Sequence, residues 1–260
     1  MFKKLGLITM CLIFTASFAL ASPVNLPSGI KGQDGVGLIS NLPVGLSAGY
    51  VFDYVGQRDL NKYSSSADFY MNGGKINVSI LNNFDIYTVL GAVNSPEYKE
   101  TVSGLDAQVN LSDNFAWEVG ADAIIYQWKD QGIQIFGDGN YRQSNGMDVN
   151  SLTVNGTTYS KSQFTGVTAS VDWQEWQAAL GVSKKFEYVI PYGGVAYSDV
   201  RTSAKATVLG TTYDSGSLSS KYKVGPFVGV SILPTKWLSI DITGRFVAEE
   251  AVSVAATVKF

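Results

Sequence analysis

The sequence predicts an all-β protein, an antiparallel transmembrane β-barrel of about 12 strands, and three observations carry that reading. Residues 251–260 (AVSVAATVKF) alternate without a break, with Val252, Val254, Ala256, Val258 and Phe260 on one side and Ser253, Ala255, Thr257 and Lys259 on the other. This is the period-two pattern of a strand whose two faces meet different media. The stretch suits one bilayer crossing, for which a tilted strand needs about 9 to 11 residues. A barrel must also end in a strand that pairs with its first, because no open edge survives in hydrocarbon. Beyond the amino terminus no apolar run is long enough for a membrane helix, so any crossing is made by strands. The composition agrees: 27 Gly, 14 Tyr, 13 Phe and 5 Trp, 16% charged residues and a mean hydropathy of +0.08 are the average of alternating lipid and water faces.

At the amino terminus Lys3 and Lys4 precede an apolar run from residue 5 to 14 and the small-residue site Ala19-Leu20-Ala21. That is the pattern of a cleaved secretory signal peptide, residues 1–21, which leaves residues 22–260 as a single barrel domain. Cys11, the one cysteine, departs with it, so the exported chain relies on backbone pairing and packing rather than disulfides. Without Lys3 and Lys4 the basic residues fall from 19 to 17 against 22 acids, a formal net charge of −5. Nothing in that balance points to nucleic acid.

Residues 22–42, rich in Gly and Pro, read as an extended lead-in that enters the barrel. The alternation starts after Pro43, with Leu46, Ala48, Tyr50, Phe52 and Tyr54 outward and Ser47, Gly49, Asp53 and Gln57 inward, and ends at Arg58-Asp59. A polar loop through Ser66 leads to a return strand with Ile76, Val78 and Ile80 facing out and Lys75, Asn77 and Ser79 facing in, and Asn82-Asn83 turns the chain. Residues 84–93 form the next strand. Leu105, Ala107, Val109 and Leu111 are then expected outward, with Asp106, Gln108 and Asn110 inward, before a tight turn at residues 112–114. Residues 115–128 place Trp117, Val119, Ala121, Ala123 and Ile125 toward lipid and Glu118, Gly120, Asp122 and Ile124 inside, since carboxylates at every second position belong on a wet face.

Residues 129–165 are less regular, with the tight-hairpin signals Asn145-Gly146 and Asn155-Gly156. If the short turns near 82, 112, 184 and 234 lie on one side, this region holds an even number of crossings: two give twelve strands and none gives ten. In residues 166–184 the apolar parity changes between Val171, Trp173 and Trp176, Leu180, which predicts a β-bulge near Gln174. Further strands follow through Tyr192 and Tyr197, from Lys221 to Ile232, and from Leu238 to Phe246, and Glu249-Glu250 turns into the closing strand. Alternating short turns and long loops are how transmembrane barrels are built. Tyr50, Tyr54, Trp117, Trp128, Tyr188, Tyr192, Tyr222 and Trp237 lie near strand ends, where interfacial girdles form.

Several stretches are similar to the chlamydial major outer membrane protein family: NFAWEVGADAIIYQWKDQG (114–132), WQEWQAALGVSKKFEYVIPYGGVAYSDV (173–200) and GRFVAEEAVSVAATVKF (244–260). LSAGYVFDYVGQRDLNK (46–62) and ADFYMNGGKINVSILNNFDIYTVLGAV (67–93) fit as well, so the resemblance recurs in order over most of the mature chain. It implies a trimeric general porin of the bacterial outer membrane that admits small solutes and ions, with exposed loops able to act as antigens or adhesins. The terminal Phe260 likewise resembles the carboxy-terminal signal of outer-membrane proteins, read by the assembly machinery. The chain is much shorter than the family's usual members and lacks their cross-linking cysteines, which leaves pore width and oligomeric state open.

With no histidine in the chain, Ser-His-Asp and Cys-His arrangements and the commonest metal ligand are absent. No enzyme activity, cofactor or metal is expected, and the carboxylates Asp172 and Glu175 beside Trp173 and Trp176 read as a strand end rather than a sugar site. The residues expected to line the pore are Asp53, Lys75, Asp85, Asp106, Glu118, Asp122, Lys221, Lys223, Asp241, Arg245 and Lys259, with Phe260 assigned to barrel closure. Expected surroundings are outer-membrane lipid and lipopolysaccharide. The alternative is a structural or adhesive surface barrel in which these charges pair across strands, plug the lumen and leave the loops to bind a partner, since about eight strands leave room only for side chains.

Overall fold

The computed structural model describes residues 22–31, 44–61, 64–81, 83–102, 104–163, 166–208 and 210–260. The expected signal peptide, with Cys11, lies outside the described residues. Among the described residues thirteen strands are formed: β1 (Val44–Asp59), β2 (Ser64–Ile80), β3 (Phe84–Val102), β4 (Leu105–Leu111), β5 (Asn114–Trp128), β6 (Ile133–Val154), β7 (Thr157–Ser160), β8 (Val167–Lys184), β9 (Val189–Val208), β10 (Thr211–Leu218), β11 (Val224–Thr235), β12 (Leu238–Arg245) and β13 (Glu250–Lys259). Every pairing is antiparallel, and the order β1-β2-β3-β5-β6-β8-β9-β11-β12-β13 returns to β1, a closed ring of ten crossings. Closure follows the alternation of the last ten residues: β13 runs along β1 from Lys259 opposite Ser47 to Ala251 opposite Val55. The Phe260 amide donates to the Leu46 carbonyl at 3.0 Å while its ring stays exposed.

Ten crossings arise by a different partition from the one expected. β4 and β5 both pair with β3 in one register, Asn110 opposite Glu97 and Asn114 opposite Val93, so they are two parts of one crossing. Residues 112 and 113 interrupt that crossing without turning it, and the Asp113 carboxylate accepts the Ser95 amide at 2.8 Å beside the break. Residues 133–154 then make a single crossing, which undoes the parity count. Asn155-Gly156 is a tight hairpin, both residues at positive φ, that folds β7 back on β6. Asn145-Gly146 is instead an irregularity within β6, between Ser144 and Met147.

The short connections between β2 and β3, β5 and β6, β8 and β9, and β11 and β12 share one end of the ring. From them upward, large apolar side chains cover the outside: Leu90, Leu180, Val228 and Val252 are each at least half exposed. A contiguous apolar belt of this extent is not maintained in water, and it places this zone in lipid. Tyr126, Trp128, Tyr188 and Trp237 lie exposed at the short-turn rim, and Tyr54, Trp176 and Tyr222 toward the other. Tyr192, expected in a girdle, faces inward and is buried.

Beyond the belt the faces exchange character. In β8 the inward residues change from Glu175, Gln177 and Ser183 to Val171 and Trp173, and the outward ones from Trp176, Leu180 and Val182 to Asp172 and Thr168. β8 itself has no bulge at the change: it pairs with β9 in one register from Val167 opposite Val208 to Ser183 opposite Tyr192, and the extra residue of the β6–β8 ladder, opposite Asp172, lies in β6. The expected bulge near Gln174 is therefore absent, and the phase shift records the point where the wall leaves lipid for water. The same exchange reverses β4, where Val109 and Leu111 point inside and Asp106 is exposed. β6 has 22 residues and β9 has 20, about double the length a crossing requires. Their upper halves, with β2, β3, β4 and β8, make an extension above the lipid with its own apolar core.

The barrel lumen as candidate functional site

The lumen is filled in three successive zones. Uppermost is an apolar cluster of Phe69, Met71, Val93, Tyr98, Leu111, Met147, Leu152, Trp173 and Val200 with smaller neighbours, all within a few per cent of complete burial. These are the inward residues of strands whose outer face is water, so their burial follows from the ordinary hydrophobic gain of about 1.5 to 3 kcal/mol per large side chain.

Below it, seven charged side chains form a chain of alternating sign. Arg142 bonds the Glu118 carboxylate through Nε at 2.8 Å and Nη2 at 2.7 Å, and reaches Asp53 through Nη1 at 3.2 Å. Asp53 accepts from Arg245 Nη2 at 2.7 Å, and Arg245 Nε also bonds Glu249. Glu249 lies 3.4 Å from Arg58 Nη1, which lies 3.0 Å from Glu175. Arg58 Nη2 donates further to the hydroxyls of Ser198 and Ser220 at 2.7 and 2.8 Å. All seven side chains are at most 4% exposed. Charges taken out of water on this scale persist only when paired and hydrogen-bonded.

The third zone, nearest the short turns, holds Asp85, Asp122, Asp138, Asp241 and Lys75, together with Tyr87 and Tyr192. Tyr87 donates to Asp138 at 2.9 Å, and the Lys75 ammonium sits 4.3 Å from the Tyr87 ring centre. Gly120 makes room for that ring, because a Cβ there would lie 2.3 Å from the Tyr87 ring. Residues 22–31, the described part of the expected lead-in, make their contacts in this zone. Ser28 donates to Asp85 from its amide at 2.8 Å and its hydroxyl at 2.6 Å, Lys31 pairs with Asp241 at 2.7 Å, and Lys75 donates to Asn25 at 2.5 Å.

Of the residues read from sequence as inward, Asp53, Asp85, Glu118, Asp122 and Arg245 are buried in the lumen, Lys75 and Asp241 are nearly so, and the Lys259 ammonium is buried near the short-turn rim. Three are placed elsewhere. Asp106 lies on the wet outer face of β4, hydrogen-bonded by Thr101 at 2.8 Å, because the faces are exchanged there. Lys221 and Lys223 precede β11 and pair with Asp59 and Asp199 outside the interior groups, since the strand starts only at Val224. Gln57 faces outward because β1 is irregular between Val55 and Arg58, which turns Arg58 inward.

Arg58, Arg142, Glu175 and Glu249 were not anticipated. Arg142 was legible: Asp138, Asn140, Arg142 and Ser144 recur at every second position, the signal that identified Glu118 and Asp122. Asp172 and Glu175, three apart, face opposite sides of the wall, with Asp172 bonded to Lys205 outside, so they do not form a paired-acid site. On the outer face of the extension a recess of about 420 Å³ is bordered by Ser66, Lys99, Thr101, Asp106, Gln108 and Thr153.

A closed all-β antiparallel ring with an apolar belt defines the class: the fold resembles outer-membrane β-barrels. No protein-family model matches the chain, and no curated protein matches it. Among solved structures it is similar to the translocator domain of autotransporter NalP from Neisseria meningitidis, at 10% identity over 90% of this chain and 92% of that one, TM-score 0.48. It is also similar to the outer membrane protease OmpT from Escherichia coli, at 11% identity over 84% and 95%, TM-score 0.43. A third is the outer membrane protein OprG from Pseudomonas aeruginosa, at 12% identity over 84% and 95%, TM-score 0.40. Likeness at this level leaves function to the barrel's own residues.

Proposed function

We propose that this protein is a surface barrel of the bacterial outer membrane, exported by a cleaved signal peptide, whose lumen is closed and whose extension above the lipid meets its partner. One observation carries the reading: the seven-member ionic chain is sealed on one side by an apolar cluster and on the other by the inserted segment. A diffusion porin, the function implied by the resemblance to the chlamydial family, needs a continuous wet path through those zones. Charges lining such a path would be solvated rather than paired at 0 to 4% exposure. The polar outer face of the extension, with its recess, is the surface offered to a partner, and no catalytic role is assigned to it. Lipid and lipopolysaccharide surround the belt, the assembly machinery reads the end of β13, and a homotrimer is compatible with it.

Planar-bilayer recording on the refolded protein separates the two. The surface-barrel reading expects no conductance above the bare membrane. Steady conductance that is weakly cation-selective and loses selectivity as salt shortens the Debye length from about 10 Å at 0.1 M to about 3 Å at 1 M would restore the porin.

A further inference from the structure

We infer that the lumen end nearest the short turns is a peptide-binding site, and that residues 22–31 are its ligand, docking in cis after the ring has closed. The segment joins no strand ladder, and its one internal backbone bond is the Ile30 amide to the Pro27 carbonyl at 3.1 Å. Its polar contacts instead go to side chains of β3 (Asp85), β12 (Asp241), β2 (Lys75) and, through the Asn25 backbone, β6 (Asp138). Its apolar residues Val24, Leu26 and Ile30 pack in one cluster with Phe136 of β6, Ile190 and Tyr192 of β9, and Phe227 and Leu233 of β11. β2 and β3 are hairpin neighbours, as are β11 and β12, but the two pairs lie on opposite sides of the β13–β1 seam, so the full set surrounds the segment only when β13 has met β1. Only the closed ring offers all these contacts at once, so the complete site forms with closure. The receptor side carries the complementary chemistry: aromatic and aliphatic walls for the apolar residues, and carboxylates for one lysine and a serine amide. The inference stands on the lumen geometry and holds whichever role the surface has.

The test uses the full chain from residue 22, with a specific protease site placed among residues 32–43 and cut after folding in detergent. The peptide is expected to remain with the barrel through gel filtration. It should exchange with added labelled peptide of residues 22–31 in a saturable manner while the barrel keeps its heat-modifiable folded band. Lys31→Glu, which sets a like charge against Asp241, should weaken rebinding at least about tenfold, and a scrambled peptide should not bind. Loss of the peptide without rebinding overturns the inference, as does unfolding of the barrel on cutting, which would make the segment part of the folding core. Equal binding of the Lys31→Glu peptide would overturn the assigned anchors. In the uncut chain Lys31→Glu should still give the folded band, and failure to do so also counts against late docking. Conductance is read in parallel, because the apolar zone seals the lumen by itself. A cut barrel that binds peptide yet conducts refutes the closed-lumen reading alone.

Discussion

Replacing Arg142 by Met tests whether the ionic chain is dry. Arg142 supplies both close contacts to Glu118, at 2.7 and 2.8 Å, and one of the two guanidinium contacts to Asp53, whose other is Arg245. The methionine keeps much of the aliphatic stem, so little packing is lost. What remains is Glu118 at 1% exposure without its counter-charge. Breaking a buried pair in this way costs about 3 to 5 kcal/mol, a large share of a total stability of about 5 to 15 kcal/mol. Glu118→Gln should cost less, about 1 to 3 kcal/mol, because Arg142 keeps Asp53 and an amide oxygen still accepts a hydrogen bond. The double variant removes both charges and should cost clearly less than the sum, a coupling of about 2 to 3 kcal/mol. Urea titrations in lipid vesicles, followed by tryptophan fluorescence, measure all three. If Arg142→Met costs under about 1 kcal/mol, the range of solvated pairs, the chain is hydrated and the closed lumen is refuted.

Two other perturbations probe the zones on either side. Gly120→Ala places a methyl 2.3 Å from the Tyr87 ring and should destabilise by about 1 to 3 kcal/mol, whereas Gly74→Ala, with nothing within 4 Å, should change stability by well under 1 kcal/mol in the same titration. In the extension, burial raises the Glu100 carboxyl from 4.5 to about 7, against the Tyr98 hydroxyl that pulls it down. The folded state therefore binds the proton more tightly, so the contribution of Glu100 to stability is fully present below about pH 4.5, falls as pH rises to about 7, and is constant beyond. At 1.36 kcal/mol per unit the fall is at most about 3 kcal/mol, and Glu100→Gln should abolish it. An unchanged slope in the variant would assign the dependence to other groups.

The closing strand, the alternation of β5 and the inward side of β1 were legible because each lies within the lipid belt, where apolar residues face out. There the period-two rule fixes orientation, and Asp53, Glu118 and Asp122 fell where it put them. The rule failed at β4 for a definite reason. Val109 and Leu111 alternate with Asn110 in the same way, but the outer medium is water, so one pattern encodes the opposite facing. Alternation reports that two faces differ and not which is outside. The break at residues 112 and 113 looked like a turn because its Ser-Asp-Asn composition suits both, and only pairing with β3 identifies it as an interruption. Partners across the lumen were beyond reach altogether: Glu249 meets Arg58 at a separation of 191 residues, a distance that no local periodicity carries.

The exchange of faces along β8 has a consequence for where function can reside. A wall that keeps an apolar interior after it leaves the lipid gains nothing for transport, since hydrophobic side chains there exclude the water that a solute path requires. What it gains is a folded, water-exposed sheet continuous with the membrane ring, with Trp173 and Tyr98 fully buried inside and Ser66, Lys99, Gln108 and Thr153 around the outer recess. On the surface-barrel reading proposed above, strands that run on from the membrane ring carry this sheet as a surface for a partner. The ionic chain sits at the level where the two interiors meet. There the inward residues of β8 pass from Trp173 to Glu175 in one step of the pleat, and a chain of seven charges paired in alternating sign lets a polar lumen end against an apolar core.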